Sequence, residues 1–100
     1  MGPITVRLGN ESAKEGFRAS REAPLQTRTI EGHRVTTVHI PVGRSLAAAF
    51  RDITDPAGVW AAHSTGANPV WIESSDPDLE KLLRSHYGVG DRPAGWEEDA

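Results

Sequence analysis

Apolar and polar positions along the chain change period several times, and each change marks an element. Ile4-Thr5-Val6-Arg7-Leu8 alternates, the pattern of a half-buried strand, and Gly9-Asn10 is read as its end. Leu25–Ile30 and His33–Ile40 form two further strands, rich in β-branched Thr, Val and Ile. Glu31-Gly32 between them has the length of a tight hairpin connection. The period then lengthens. Leu46, Ala49, Phe50 and Ile53 recur at helical spacing, with Ser45 as cap and Thr54-Asp55-Pro56-Ala57-Gly58 as stop.

The stretch from Val59 to Gly88 organises the rest. Val59–His63 and Pro69–Glu73 read as the arms of a β-hairpin, joined by the turn residues Ser64–Asn68. Pro69 stands at a strand's first position, where its missing N–H does least harm. The second arm feeds into a helix start. Ser75 or Asp76 serves as cap, Pro77 fits the first turn, and Asp76, Asp78 and Glu80 sit where the helix dipole favours anions. Leu79, Leu82, Leu83 and Tyr87 make one apolar face, and Gly88 is a left-handed stop.

Two stretches carry no period. Residues 9–24 are polar and mixed in charge, with Phe17 as the one large apolar group, and read as a loop or an extended arm. Residues 89–100 hold glycines and a proline and read as an irregular tail, in which Trp96 is expected to pack back on the domain or into a neighbour. The expected fold is α+β: an antiparallel sheet of four to five strands with two short helices on one face, in a single domain. The core is expected over 25–88.

Composition adjusts this picture in a few places. One hundred residues make one domain with a modest core. The 37 % hydrophobic content lies below the usual range of about 45–50 %, even allowing that the range counts glycine, so part of the apolar surface is expected to meet a partner. There is no cysteine, which excludes disulfides and thiolate metal sites. No apolar run reaches membrane-spanning length, and Met1-Gly2-Pro3-Ile4 has the features of neither a secretory signal nor a myristoylation site. Net charge is −3, which argues against nonspecific nucleic-acid binding. Residues 1–68 carry eight basic and six acidic groups and residues 69–100 carry three and eight, a balance of +2 against −5. That asymmetry is either a solvated acidic end or a basis for head-to-tail contact. Nine of the eleven basic residues are Arg, a bias that fits a GC-rich genome.

Candidate chemistry is sparse. His33 and His39 share a strand face by their even spacing, but no carboxylate or further histidine stands near them in a metal-binding pattern. Gly88-Val89-Gly90 follows a helix, the wrong context for phosphate binding. His63 and Ser64 are adjacent, so on a strand they point to opposite faces. The expectation is a protein that is not an enzyme and needs no metal, cofactor or small-molecule substrate. Trp60, Trp71 and Trp96 have two readings: packing within the hairpin and core, or an aromatic patch for another protein, since Trp and Arg are enriched at interface hot spots. The candidate interface residues are Phe17, Arg18 and Arg21 of the arm together with Trp60, Trp71 and Trp96.

Gly58-Val59-Trp60, Trp71-Ile72-Glu73-Ser74, Asp76-Pro77-Asp78-Leu79 and His86-Tyr87-Gly88 together resemble small proteins in the structural gene blocks of tailed phages of actinobacteria. The strand from Glu31 to Ile40 is similar as well, whereas residues 9–24 carry none of the resemblance. The resemblance spans about two-thirds of the chain and contains no catalytic motif. It implies a virion component made in the host cytoplasm: a minor capsid or decoration protein on the major capsid protein, or a part of the head–tail connection. Its partners would be other virion proteins and copies of itself, with no nucleic acid or membrane. The rival class is a small cellular adaptor or antitoxin-like regulatory module that uses the acidic C-terminal third. An enzyme with the histidines in its site is the third.

Overall fold

The computed structural model describes residues 3–10, 25–30, 33–54 and 69–96. The first strand, β1 (Ile4–Asn10), obeys the alternation read from the sequence: Val6 and Leu8 are fully buried on one face. It runs two residues past its expected end. Gly9 pairs with Val35 and Trp71, and Asn10 pairs with Arg34 and Pro69, where the register shifts. A glycine weakens an isolated strand, which is why it reads as a stop, but it also admits a close approach. The Trp71 indole lies so near Gly9 that an added Cβ would stand 2.1 Å from its Nε1. The expected arm of residues 9–24 therefore loses its first two members to the sheet, and residues 11–24 lie outside those described.

The strands β2 (Leu25–Ile30) and β3 (His33–Ile40) form the expected antiparallel hairpin, with Ile30 opposite His33. The fourth, β4 (Pro69–Ser74), lies antiparallel to β1, with Pro69 at its start. The order across the sheet is β2-β3-β1-β4. The expected companion arm Val59–His63 lies outside the described residues.

Two helices cover one face, α1 (Leu46–Thr54) and α2 (Pro77–Tyr87). The fold is therefore α+β with an antiparallel sheet and two helices, the class expected. Ser45 caps α1 by accepting from the Ala48 N–H at 3.1 Å. At the start of α2, Asp76 is the cap: its carboxylate accepts from the backbone of Asp78 at 2.9 Å and of Leu79 at 3.1 Å. Ser75 has a different task. It exchanges hydrogen bonds with the Thr5 backbone, its Oγ accepting and its N–H donating, each at 3.0 Å. That ties the start of β1 to the start of α2.

Between sheet and helices lies the main core: Val6, Leu8, Val38, Ile40 and Ile72 against Ala49, Ile53, Leu79 and Leu83. Burying each large aliphatic side chain is worth about 1.5–3 kcal/mol, so this layer dominates stability. Leu82 departs from expectation. Helical spacing groups it with Leu79 and Leu83, yet it is 43 % exposed at the margin of the apolar stripe, while Leu79 and Leu83 are sealed. Asp52 is the buried charge of α1, and it is ion-paired with Arg44.

Candidate functional site

Alternation along β1, β3 and β4 sends a second set of side chains to the face away from the helices. Arg7, Gly9, Val35 and Trp71 share that side by parity. A wholly solvated face would be polar, yet Val35 and Trp71 are 1 % and 0 % exposed. What covers them is the chain after α2. Gly88 ends the helix in the left-handed region at φ 69°, with its N–H donating to the Arg84 carbonyl at 2.8 Å. Gly90 then bridges to Trp71 as an isolated parallel pair beside β4. Six residues on, Trp96 closes over the face and is itself only 6 % exposed.

The resulting cluster is small and aromatic. Trp96 meets Trp71 edge-on at 5.9 Å between ring centres and 83° between planes. It meets His33 at 4.1 Å and 31°. The Arg92 guanidinium stands 4.6 Å from the centre of the Trp71 ring, pairs with Glu73, and reaches the Trp96 carbonyl at 3.5 Å. Arg7 approaches the same ring at 5.9 Å. Arg84 links helix, sheet and tail: its Nε donates to the Ile72 carbonyl at 2.9 Å and its Nη1 to Asp91 at 2.8 Å. Edge-to-face aromatic pairs and cations over indoles each stabilise by roughly 0.5–1.5 kcal/mol beyond burial, so these contacts hold the segment without the aid of the main core.

Two of the expected interface residues pack within the chain. Trp71 and Trp96 are buried against one another within the chain, so neither offers an aromatic patch to a partner in this state. The alternative reading of both, packing within the molecule, describes them. Trp60, Phe17, Arg18 and Arg21 lie outside the described residues. Arg92, Gly9 and His33 are the members that sequence reasoning missed. Arg92 interrupts no pattern, Gly9 reads only as the end of a strand, and His33 carried only a metal-ligand question.

Among the described residues, the polar groups found elsewhere serve mainly the fold. A shallow depression lined by Thr5, Arg7, Glu73, Ser74 and Ser75 sits where β1 meets the start of α2. Its hydroxyls serve the fold: Ser75 accepts from Thr5, and Ser74 accepts from the Asp76 N–H at 3.1 Å. Among the described residues no three His, Asp or Glu side chains come together as metal ligands. His86 packs edge-on against Phe50 at 5.5 Å and Tyr87 at 4.8 Å. Burial pushes the Tyr87 phenol up to about 12, and its hydroxyl donates to the Ile53 carbonyl at 3.2 Å.

The outer surface of the helices offers a different kind of site. Leu82 and Leu46 line an open groove with Asp78, Lys81 and Ser85. Its floor is apolar and its rim carries both signs of charge. Small-molecule sites are deep and enclose their ligand. This groove is open. Compared with known proteins, the chain matches no family model, no curated protein and no solved structure.

Proposed function

We propose that the chain is a non-enzymatic structural protein of a tailed-phage particle, a minor capsid or decoration protein that binds the major capsid protein. The observation that carries the reading is the open groove around Leu82. A leucine left 43 % exposed on a helix whose Leu79 and Leu83 are buried, beside Asp78 and Lys81, has the composition of an interface anchor with a polar rim. The resemblance of residues 58–96 to small phage structural proteins supports the same reading. Glu73, Ser74, Ser75 and Asp76 are committed to an ion pair, a strand contact and the start of α2, which suits a protein that acts by binding.

The test is incorporation. Particles assembled with the Leu82→Asp chain should lose it, while the purified variant stays folded because Leu82 contributes little to the core. Cross-linking of wild-type particles should join the chain to the major capsid protein. Cross-links to portal or tail components instead would favour the head–tail connection. Recovery of the chain only in the soluble fraction, bound to a host protein, would favour the adaptor class and defeat the virion reading.

A further inference from the structure

The segment that covers the second face of the sheet is built as a separable part. Its buried cluster, Val35, Trp71 and Trp96, is distinct from the main core between sheet and helices. Gly88 and Val89 belong to the end of α2: both N–H groups donate to the Arg84 carbonyl, at 2.8 and 3.1 Å, and Val89 packs on the main core. Gly90 is the first residue free of that anchorage and the natural pivot. The contacts that hold the strap of residues 90–96 include the Gly90–Trp71 bridge, two ion pairs, the Arg92 guanidinium over Trp71 and the buried Trp96 side chain. The ion pairs are polar and partly solvated, Asp91 being 91 % exposed in its contact with Arg84. Pro93 fixes its own φ and restrains Arg92 before it, while the strap bends at Asp91 and turns through Ala94-Gly95, with Gly95 at φ 97°.

We propose that two copies of this chain exchange these straps, each Trp96 seating against His33, Val35 and Trp71 of the other copy. The surface beneath the strap is complementary to the strap on two counts. It offers an aromatic socket for Trp96, and it offers Glu73 and Arg84 to Arg92 and Asp91. An exchanged pair makes the same contacts twice and is isologous, so it closes as a symmetric dimer. A short tether gives the strap's own socket an effective concentration on the order of millimolar. Exchange therefore takes over where copies are crowded to comparable density, as they would be on an assembling surface. The exchange itself is read on the purified chain and stands or falls independently of the phage reading.

Charge reversal tests it. The Glu73→Arg chain repels its own Arg92, and the Arg92→Glu chain is repelled by its own Glu73. Each chain alone is mismatched in both the closed and the exchanged form. Mixed in equal amounts, the strap of each matches the socket of the other. Light scattering coupled to size exclusion should find each variant monomeric and the mixture at twice the mass, with tryptophan emission moving to the blue as the indoles are buried. The chain carrying both reversals restores pairing within itself and should be a folded monomer at the same concentration. A mixture that stays monomeric while the double variant folds overturns the proposal. Should the single variants fail to fold, wild type decides it. Its mass should rise toward a dimer with concentration, and that rise should vanish in Trp96→Ala. The same mass for both chains at every concentration overturns exchange equally.

Discussion

Gly9 and Trp71 are paired across neighbouring strands, and each explains the other. The indole lies flat enough on β1 that any side chain at position 9 would enter it, the nearest ring atoms standing 2.1, 2.4 and 2.7 Å from an added Cβ. Trp71 is fully buried, so it has nowhere to move without displacing Trp96 and Arg92. Gly9→Ala should therefore destabilise the domain by about 1–3 kcal/mol, the usual cost of overpacking. A denaturant midpoint unchanged in that variant would show that the face accommodates a methyl group. Tyr87 makes a second prediction at this scale. The unfolded chain releases a phenol proton near the ordinary value of 10.0, and the folded chain holds it to about 12. Between those values the folded state binds more protons, so stability is level below pH 10 and falls as pH rises toward 12. Tyr87→Phe should flatten that alkaline decline. It should also lower stability at neutral pH by about 1 kcal/mol, because the Ile53 carbonyl loses its donor. Thermal melts across the alkaline range would compare the two chains.

At the scale of elements, the helix start of α2 carries the clearest prediction, and the structure divides it between two residues. Asp76→Ala should cost about 1 kcal/mol by removing the cap from the Asp78 and Leu79 amides. Ser75→Ala should cost roughly 0.5–1.5 kcal/mol through a different bond, the one Thr5 donates from β1. The two losses should add closely, because one bond lies within the helix and the other joins helix to strand. A shared loss, with the double variant no worse than either single one, would mean that the cap and the strand contact form one unit. This division also marks how far the chain could be read in advance. The start and stop of α2 were legible because Asp76, Pro77 and Gly88 each act locally. The β2–β3 hairpin was legible for the same reason, its bounds set by Glu31-Gly32 and a run of β-branched residues. β1 was cut short because the value of Gly9 depends on a ring sixty-two positions later. Leu82 was misplaced because a regular period says where a stripe lies but not how wide the surface beneath it is. The strap was invisible as an element because residues 90–96 have no period; only the presence of Trp96 hinted at burial.

At the scale of the whole molecule, the described residues form two apolar layers of unequal size on opposite sides of one sheet, and the inequality has a thermodynamic consequence. Among the described residues, nine make the main core and three make the cluster beneath the strap. Deleting a buried indole from a single continuous core costs about 3–5 kcal/mol, because the cavity cannot be escaped without unfolding. Trp96 lies in the smaller layer, at the end of a segment that pivots at Gly90. In Trp96→Ala the strap is free to leave the sheet, and the loss is capped at the free energy of docking the strap. That ceiling is set by one Trp, the cation over its neighbour and two partly solvated ion pairs. The loss in Trp96→Ala should therefore fall below that in Leu83→Ala, which opens a hole in the main core at about 2–5 kcal/mol. Native-state hydrogen exchange would test the cause directly. In wild type, the amides of residues 90–96 should open at lower free energy than those shared by β1 and β3, since local opening draws on the least supported units. Trp96→Ala should lower the protection of Gly90 and Trp71 steeply while leaving Val6 and Val38 close to their wild-type values. Equal loss of protection across both layers would mean that the strap and the main core unfold together, and the sheet would then have one core with two faces.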